Sequence, residues 1–357
     1  MTVLLTGGSG FVGINITERL LDENLHVVNY ATLPVPDEAL PSLKGRRGHY
    51  EFVEGNVLDR ERLDSVIAKY NIKTIIHAAV MTPDFKREQQ SSKDVTNVNY
   101  MGTVEVLESA RRHGIEKFVY LSSVSVYGDT AYSDNRLSET DSIPTPRSLY
   151  EITKYAAERT VLRYKELFGL SVLVVRIGQV FGPWERYTGI RHTLSGPFQA
   201  TRLAFFNQDV LMPWPGMRDW VYSRDVANAI VHLMQHHDLH FDLYNIGPGQ
   251  QWSVEDWCKL LEKEFPSFRY CVVDNPDEAN IDYFAPKDAS RLVIERLQQD
   301  GGYTPKYGLK EAFNDYMKWI KNTSLFWIEE KETTPSHKGR VVQTRVSSCV
   351  KYPFNTF

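Results

Sequence analysis

Short apolar runs alternate with segments of helical periodicity through the first half of the chain. Each run has the length of a buried strand, and each intervening segment places apolar residues three and four positions apart. The pattern predicts six strands, at 3–6, 26–30, 50–54, 74–79, 117–123 and 171–176, and helices at 11–22, 60–70, 95–113 and 150–168. Strands that alternate with helices are typical of βαβ units, so we predict an α/β fold with a Rossmann-type, doubly wound parallel sheet.

The pattern changes after residue 178, where turns, prolines and aromatic residues replace the regular alternation. Helices are predicted again at 225–237, 254–264 and 309–321, and a strand at 243–246. We therefore predict a cofactor-binding Rossmann domain at 1–178, to which 219–246 returns. A smaller, discontinuous C-terminal substrate-binding lobe is predicted at 179–322, and a tail without periodicity, whose role the sequence does not indicate, at 323–357.

Charge and hydropathy exclude some classes of partner. The chain has 41 Lys plus Arg and 45 Asp plus Glu, a net charge of −4, which provides no general positive field for nucleic acid. No apolar run reaches the ~20 residues that cross a bilayer, and the first predicted strand leaves no room for a secretory leader. We expect a cytoplasmic protein that binds neither nucleic acid nor membranes.

The motif TGGSGFVG at residues 6–13 stands between the first predicted strand and the first predicted helix. Gly7 and Gly10 have no Cβ, so the backbone there can approach a pyrophosphate, and Gly13 allows the helix to pack against the sheet. The amino terminus of the helix, with Phe11 and Val12 in its first turn, faces the anion. A tight turn without a ligand is the alternative, but the order of strand, glycine turn and helix predicts dinucleotide binding.

The end of the second predicted strand bears on the choice between NAD and NADP. NAD enzymes often carry an acidic residue there, about twenty positions after the glycine loop, which binds the adenosine ribose. Ala31 occupies the expected position, so no carboxylate would repel a 2′-phosphate. Arg46 and Arg47 could pair with that phosphate or be ordinary loop charges. The predicted cofactor is NAD or NADP.

The sequence YEITK places Tyr150 and Lys154 one turn apart on the same face of a predicted helix. A lysine ammonium and a cationic nicotinamide favour the phenolate of Tyr150, which could exchange a proton with a substrate hydroxyl during hydride transfer. Ser122 and Ser123 end the fifth predicted strand, at the edge where doubly wound sheets bind ligands. We favour a role for Ser123 in orienting the reacting oxygen and leave Ser122 open between that role and strand termination.

Six motifs follow one another along the chain: TGGSGFVG, HAA, NVNYMGT, SSVSVYG, YEITK and MRDWVYSRDVA. In this order the chain resembles the extended short-chain dehydrogenase/reductases, the NAD-dependent epimerase/dehydratase family, over roughly residues 1–320. The resemblance implies that Ser123, Tyr150 and Lys154 are catalytic and that Asn99 supports a water relay.

The same resemblance implies further contacts. Asn56 and Val57 match a position on the adenine side, and Ala78 and Ala79 match the loop beside the cofactor. In related proteins the helices near 99–113 and 150–168 pair across a dimer axis, which implies a homodimer.

The type of reaction is narrowed by the residues after the fifth strand. Nucleotide-sugar 4,6-dehydratases of this family carry Thr, Asp and Glu where this chain has Ser123, Val124 and Ser125, so dehydration is disfavoured. An epimerase that returns its hydride and a dehydrogenase or reductase that releases its cofactor both remain. A non-catalytic NAD(P)-binding sensor is the contrasting class, and the complete Ser, Tyr and Lys set speaks against it.

Candidate substrate residues indicate an anionic, sugar-like molecule. Arg218 matches the position that contacts the substrate diphosphate in UDP-galactose 4-epimerase-like proteins, whereas Gln179 stands where those epimerases have Asn. Arg186, Arg191 and His192 could bind a smaller anion such as a sugar acid, or be surface charges. A nucleotide sugar is slightly favoured and a small sugar acid is the alternative.

A metal site is not predicted from the sequence. His232 and His236 stand four residues apart on a predicted helix, which is a spacing of metal ligands, but no third ligand accompanies them in a known frame. We expect both side chains to face solvent.

Overall fold

The computed structural model of the protein describes residues 1–133, 136–188, 191 and 193–323. His192 and all of the predicted tail except Thr323 lie outside the described residues. None of the described helices combines the length and apolarity that crossing a membrane requires.

The strands of the described residues are short and spread along the whole length. They are β1 (Thr2–Thr6), β2 (His26–Ala31), β3 (His49–Glu54), β4 (Thr74–His77), β5 (Lys117–Ser123), β6 (Arg136–Leu137), β7 (Val172–Ile177), β8 (Gln179–Phe181), β9 (Val210–Met212), β10 (Met217–Arg218), β11 (Trp220–Tyr222), β12 (Leu243–Ile246), β13 (Trp252–Ser253), β14 (Tyr270–Val272) and β15 (Arg291–Leu292).

The α-helices alternate with the strands in the first half and are more widely spaced afterwards. They are α1 (Phe11–Asp22), α2 (Leu40–Lys44), α3 (Arg60–Lys69), α4 (Phe85–Thr96), α5 (Gly102–Arg112), α6 (Leu149–Phe168), α7 (Gly196–Phe205), α8 (Ser223–Gln235), α9 (Val254–Glu264), α10 (Glu295–Gln299) and α11 (Leu309–Lys321). A π-helical turn at Asn97–Met101 joins α4 to α5.

Seven strands form one parallel sheet in the order β3-β2-β1-β4-β5-β7-β12. The chain builds outward from β1 to β3, returns to the other side of β1 with β4, and continues to β12. The direction therefore reverses between β1 and β4, where doubly wound sheets open a ligand crevice. The predicted Rossmann-type sheet is confirmed.

Helix α6 carries the predicted catalytic pair, and its bounds follow from local chemistry. The Ser148 hydroxyl accepts a hydrogen bond from the Glu151 amide, while the Glu151 carboxylate accepts one from the Ser148 amide. The helix ends at Gly169, whose φ of 69° is the left-handed conformation that glycine adopts without strain. This capping box fixes Tyr150 in the first turn.

Buried apolar side chains form three clusters. Two of them are built mainly from the seven-stranded sheet and the helices that cover its two faces. The third is rich in aromatic residues and comes from segments between Phe181 and Ile320, with Trp257 fully buried at its centre against Phe181 and Phe313. A separate apolar cluster thus lies beside the sheet region.

Helices α2 and α10 were not predicted, and α4 and α7 differ most from the sequence predictions. The helix predicted at 95–113 begins ten residues earlier, as α4. The prediction missed this start because residues 85–94 are almost entirely polar and only Val95 of α4 is buried, so no apolar period marks the helix. Helix α7 lies where turns were predicted. Pro197 occupies its first turn and Ser195 caps it, so a proline that was interpreted as a turn signal instead starts a helix.

Candidate active site

A cavity of about 1020 Å³ opens at the carboxyl ends of the parallel strands. Ligand pockets usually measure roughly 300–1,000 Å³, so this one has room for a cofactor and a second molecule. The predicted site residues that line it are Gly7, Gly10, Phe11, Val12, Gly13, Asn56, Val57, Ala78, Ala79, Ser122, Ser123, Tyr150, Lys154, Gln179, Arg191 and Arg218. Asn99 is not among the lining residues.

The glycine loop has the geometry that a pyrophosphate requires. Gly7 has a φ of 70°, and a Cβ at that position would lie 2.7 Å from the Ala79 Cα. A Cβ on Gly13 would lie 2.4 Å from the Gly7 carbonyl oxygen. Gly10 caps α1 without a side chain, and the first turn of α1 contains no acidic residue. The amides at this helix end remain accessible to an anion, so these residues fit a dinucleotide.

The adenosine side of the cavity contains Ala31 at the end of β2, as the sequence indicates. The two candidate ligands for a 2′-phosphate lie elsewhere. Arg46 forms ion pairs with Glu18 and Asp22 of α1, and Arg47 donates to the Asp22 carbonyl. Neither arginine lines the cavity, so the structure gives no support to their role in binding NADP.

Lys154 is buried, with 4% of its surface exposed. Its Nζ donates a hydrogen bond to the Leu121 carbonyl and lies 4.4 Å from the centre of the Tyr120 ring. Burial lowers the pKa of Lys154 from 10.5 to about 7, and the nearby Glu158 carboxylate opposes that shift.

The pKa of Tyr150 differs from the sequence expectation. Burial raises it above the ordinary value, while a hydrogen bond with Ser123 and the positive charge of Arg191 lower it. The prediction that Lys154 would favour the phenolate is therefore incomplete, because burial is the largest effect and the opposing groups are Ser123 and Arg191.

The two predicted serines have different environments. Ser123 ends β5, and its hydroxyl accepts a hydrogen bond from the Ser125 amide at 3.1 Å, close to Tyr150. The Ser122 hydroxyl donates a hydrogen bond to the Glu158 carboxylate at 2.8 Å, and Glu158 forms an ion pair with Arg176. The Ser122 hydroxyl is thus committed to a buried ion pair, and its alternative role at the end of the strand is the better supported.

Asn99 is buried and bonded on both sides of its amide. Its Oδ1 accepts from the Met81 amide at 2.8 Å, and its Nδ2 donates to the Met81 carbonyl at 3.0 Å and to Thr153 at 3.3 Å. Since Met81 lines the cavity and Thr153 lies on α6, Asn99 connects the cavity wall to the helix of Tyr150. These contacts hold the cavity wall against the helix of Tyr150, and the support of a water relay by Asn99 stays a prediction.

Two arginines on the cavity wall have unused donors. Arg218 is 3% exposed, and its Nε and Nη2 have no hydrogen-bond partner among the described residues. Its guanidinium lies 5.6 Å from the Trp220 ring and 5.8 Å from the Tyr283 ring. A buried guanidinium with free N–H groups is suited to a phosphate or carboxylate.

Arg191 lies on the same wall near Tyr150. Its Nη2 donates to Glu185 at 2.9 Å, its Nε has no partner among the described residues, and its guanidinium lies 5.1 Å from the Phe11 ring. Glu185 is buried and also accepts from the Ser195 amide and hydroxyl, at 2.8 and 2.6 Å. Glu185 therefore holds Arg191 in position and connects it to the start of α7.

Sequence reasoning missed Glu185 and Asp219. Asp219 lines the cavity beside Arg218, and burial raises its pKa to about 7. Its Oδ2 accepts from the Leu292 amide and from Gln251, while its Oδ1 has no partner among the described residues. Its position next to Arg218 was the one sequence signal for Asp219. Its hydrogen-bond partners, Gln251 and Leu292, are more than thirty residues away in sequence and could not be predicted.

The histidine pair on α8 has no features of a metal site. Nε2 of His232 lies 2.8 Å from the Gly301 carbonyl, within hydrogen-bond distance. The ring centres of His232 and His236 are 6.0 Å apart. His232 on α8 and His236 at its C-cap are both only partly exposed, so the expectation that both side chains face solvent is met only in part.

Comparison of the sequence with known protein families supports a dinucleotide-binding site in this cavity. The NAD-dependent epimerase/dehydratase family matches residues 3–247. The chain belongs to this family. Its members are NAD-dependent, so the predicted dinucleotide cofactor and the resemblance to extended short-chain dehydrogenase/reductases are confirmed.

Relatives within the family differ in their reactions. A putative UDP-glucose 4-epimerase of Methanocaldococcus jannaschii is 27% identical over 90% of this chain and 99% of its own. A dTDP-D-glucose 4,6-dehydratase of Dictyostelium discoideum is 31% identical over 72% of this chain and 61% of its own. The solved UDP-glucose 4-epimerase of Thermus thermophilus in complex with NAD is 25% identical, with a TM-score of 0.73 over 90% of this chain and 99% of its own.

Proposed function

We propose that the protein is an NAD-dependent epimerase or oxidoreductase that transfers a hydride at a secondary alcohol of an anionic sugar, with a nucleotide sugar favoured. The observation that carries the proposal is that one cavity holds the glycine loop, Ser123, Tyr150 and Lys154 together with two arginines that have unused donors. The sheet region at 1–178 with 219–246 would hold the cofactor, and 179–322 would form the substrate lobe.

In this mechanism Tyr150 takes the proton of the substrate hydroxyl while the carbon that bears this hydroxyl loses a hydride. NAD, when bound, supplies the acceptor for that hydride. Ser123 orients the reacting oxygen, because it ends β5 beside Tyr150 in the same cavity. The positive charge of Arg191 and the hydrogen bond with Ser123 lower the cost of the Tyr150 phenolate, and the phenol formed when it takes the substrate proton returns that proton when the ketone is reduced.

An epimerase or a simple oxidoreductase fits the residues after β5 better than a dehydratase. Elimination of water from a sugar requires a carboxyl acid and base near the reacting carbons. Val124 and Ser125 offer neither, although dehydratases are among the relatives. We therefore propose that the hydride returns to the same carbon or leaves with the cofactor.

The two arginines support an anionic substrate. Arg218, with two unused N–H groups between aromatic rings, suits the diphosphate of a nucleotide sugar. Arg191, close to Tyr150, suits a negative group on the sugar itself. A small sugar acid that uses Arg191 alone is the second candidate.

Turnover on a panel of nucleotide sugars and sugar acids tests the proposal, with Tyr150→Phe as the decisive variant and Tyr155→Phe on the same helix as its control. We expect Tyr150→Phe to lower kcat by about 10²–10⁴-fold because a phenyl ring cannot exchange the proton. An epimerase interconverts two sugars without net change in nicotinamide absorbance, whereas a dehydrogenase consumes added NAD. Unchanged turnover in Tyr150→Phe would reject the assignment, and no turnover of any substrate by the unmodified protein would favour a sensor.

A further inference from the structure

Three side chains that bind metals in other proteins meet at the amino-terminal end of β2 and β3, at the edge of the sheet opposite the cavity. His26 begins β2 and His49 begins β3, and the two residues are paired in register. Glu51 lies two residues further along β3 and therefore on the same face as His49. The potential ligand atoms of the three residues all lie within 4.8 Å of one another.

The spacing suits an ion better than direct contact. Nε2 of His26 is buried and has no hydrogen-bond partner among the described residues. The nearest carboxylate oxygen, Oε2 of Glu51, is 3.8 Å away, which is too long for a hydrogen bond. Two ligands of a tetrahedral zinc ion, each at about 2.0–2.1 Å, lie about 3.3 Å apart. Small side-chain rotations would bring these atoms to that separation.

We propose that His26, His49 and Glu51 form a binding site for a divalent transition-metal ion of the zinc class. Two imidazoles and one carboxylate are typical ligands of zinc, whereas magnesium and calcium prefer oxygen ligands. Because His49 is exposed and the other two side chains are partly exposed, water can complete the coordination.

The surroundings of Glu51 resemble those of a metal-bound carboxylate. The Tyr70 hydroxyl donates a hydrogen bond to Oε1 of Glu51, and Nζ of Lys69 donates to the same hydroxyl at 2.8 Å. Such outer hydrogen bonds orient ligands, and their loss typically weakens metal binding by about 10–100-fold. Two cationic groups oppose the ion: the ammonium of Lys69, which lies beyond Tyr70, and the amino terminus at Met1, which acts on His26.

The site would stabilise the structure rather than take part in the reaction. β3 is the edge strand of the sheet, and an ion held by His26 and His49 would join it to β2. From His26 to Ala31 the strand advances five residues, or about 16 Å, so the ion would not contact the substrate. The proposal is independent of the proposed function.

Zinc titration of the full-length protein after treatment with a chelator tests this site. We expect one bound equivalent in the unmodified chain by calorimetry, with affinity at least tenfold weaker in His26→Gln and His49→Gln. Tyr70→Phe should weaken zinc binding by about tenfold, because it removes the hydrogen bond that orients Glu51 and leaves both imidazoles in place. His113→Gln is the matched control, because His113 is a partly exposed histidine whose neighbour is Asp64. Circular dichroism and NAD binding check that each variant is folded.

A second measurement on the unmodified protein does not depend on the variants. X-ray absorption of the zinc complex should show two imidazoles and a carboxylate oxygen near 2.0–2.1 Å. Equal zinc affinity in His26→Gln, His49→Gln and the unmodified chain would overturn the proposal, as would a coordination shell of water oxygens without imidazole, or no binding.

Discussion

At the scale of single residues, burial decides the charge of the two candidate catalytic groups. Tyr150 and Lys154 could be predicted from their spacing on a helix, but the direction of their pKa shifts could not. Lys154 is enclosed by the backbone of Leu121 and the ring of Tyr120, and both belong to β5, about thirty residues earlier in the chain. Contacts of this range are set by the fold.

The lowered pKa of Lys154 has a consequence for stability. The pKa falls from 10.5 in the unfolded chain to about 7 in the folded one. Between these values the unfolded chain binds more protons, so the free energy of unfolding rises with pH from about 7 to 10.5 and loses that contribution as the pH falls. We expect Lys154→Met to remove this part of the rise.

Urea unfolding at pH 7 and pH 9 measures the effect. Lys263→Met, at an exposed position of α9, is the matched control and should keep the rise of the unmodified protein. An equal gain in stability between the two pH values in Lys154→Met and in the unmodified chain would show that Lys154 keeps its proton in the folded protein at pH 9.

At the scale of elements, a buried ion pair joins α6 to the sheet. Nε and Nη2 of Arg176, on β7, donate to the two carboxylate oxygens of Glu158, on α6, at 3.0 and 2.6 Å. The two side chains are 3% and 0% exposed. Glu158 also accepts a hydrogen bond from the Ser122 hydroxyl and lies one turn after Lys154. The ion pair of Arg176 and Glu158 therefore fixes the helix that carries Tyr150 and Lys154.

We expect Arg176→Met to lower the free energy of unfolding by about 3–5 kcal/mol, because it leaves a buried carboxylate without its partner. Adding Glu158→Leu should recover part of that loss, since an apolar pair costs less than a lone buried charge. A double-mutant cycle in urea measures the coupling. Strictly additive losses would show that the two side chains act independently.

The bounds of most helices could be predicted because they are set by local signals. α1, α9 and α11 begin and end where the apolar periodicity indicates, and Ser253 also caps α9. α4 was missed over most of its length because its residues face solvent and have no apolar period. α7 was missed because a proline in the first turn of a helix and a proline in a loop have the same local signal.

At the scale of the whole molecule, the surface of α5, α6 and the turn before α5 supports the predicted homodimer. Large apolar side chains are exposed there, with Met101 41%, Ile152 43%, Leu167 53% and Phe168 49% exposed. Met101 precedes α5, Ile152 lies in the first turn of α6, and Leu167 and Phe168 lie at its other end, so apolar groups are exposed along the length of this surface. A second copy of the chain would cover them.

We expect a dimer in solution that Met101→Asp combined with Ile152→Asp converts to a monomer, because two carboxylates would have to be buried without partners. Sedimentation equilibrium measures the mass. Ile143→Asp is the control, since Ile143 is 74% exposed outside these helices and should leave the dimer intact. A monomer at every concentration of the unmodified chain would contradict the expectation.

The cavity itself could be predicted from the sequence at its cofactor end and less well at its substrate end. The glycine loop, Ser123 and the pair on α6 follow strand ends or helical spacing, which are local. Glu185 depends on Ser195 at the start of α7, and Asp219 depends on Leu292, which belongs to a cluster of the sheet region. The contacts that set the substrate end of the cavity are therefore visible only in the folded molecule.

The most direct test of the account is a crystal structure of the protein with NAD. We expect the pyrophosphate to lie against the amides at the start of α1 and the nicotinamide to lie beside Tyr150 and Lys154. A complex with the nicotinamide in another part of the cavity, out of reach of Tyr150, would contradict it.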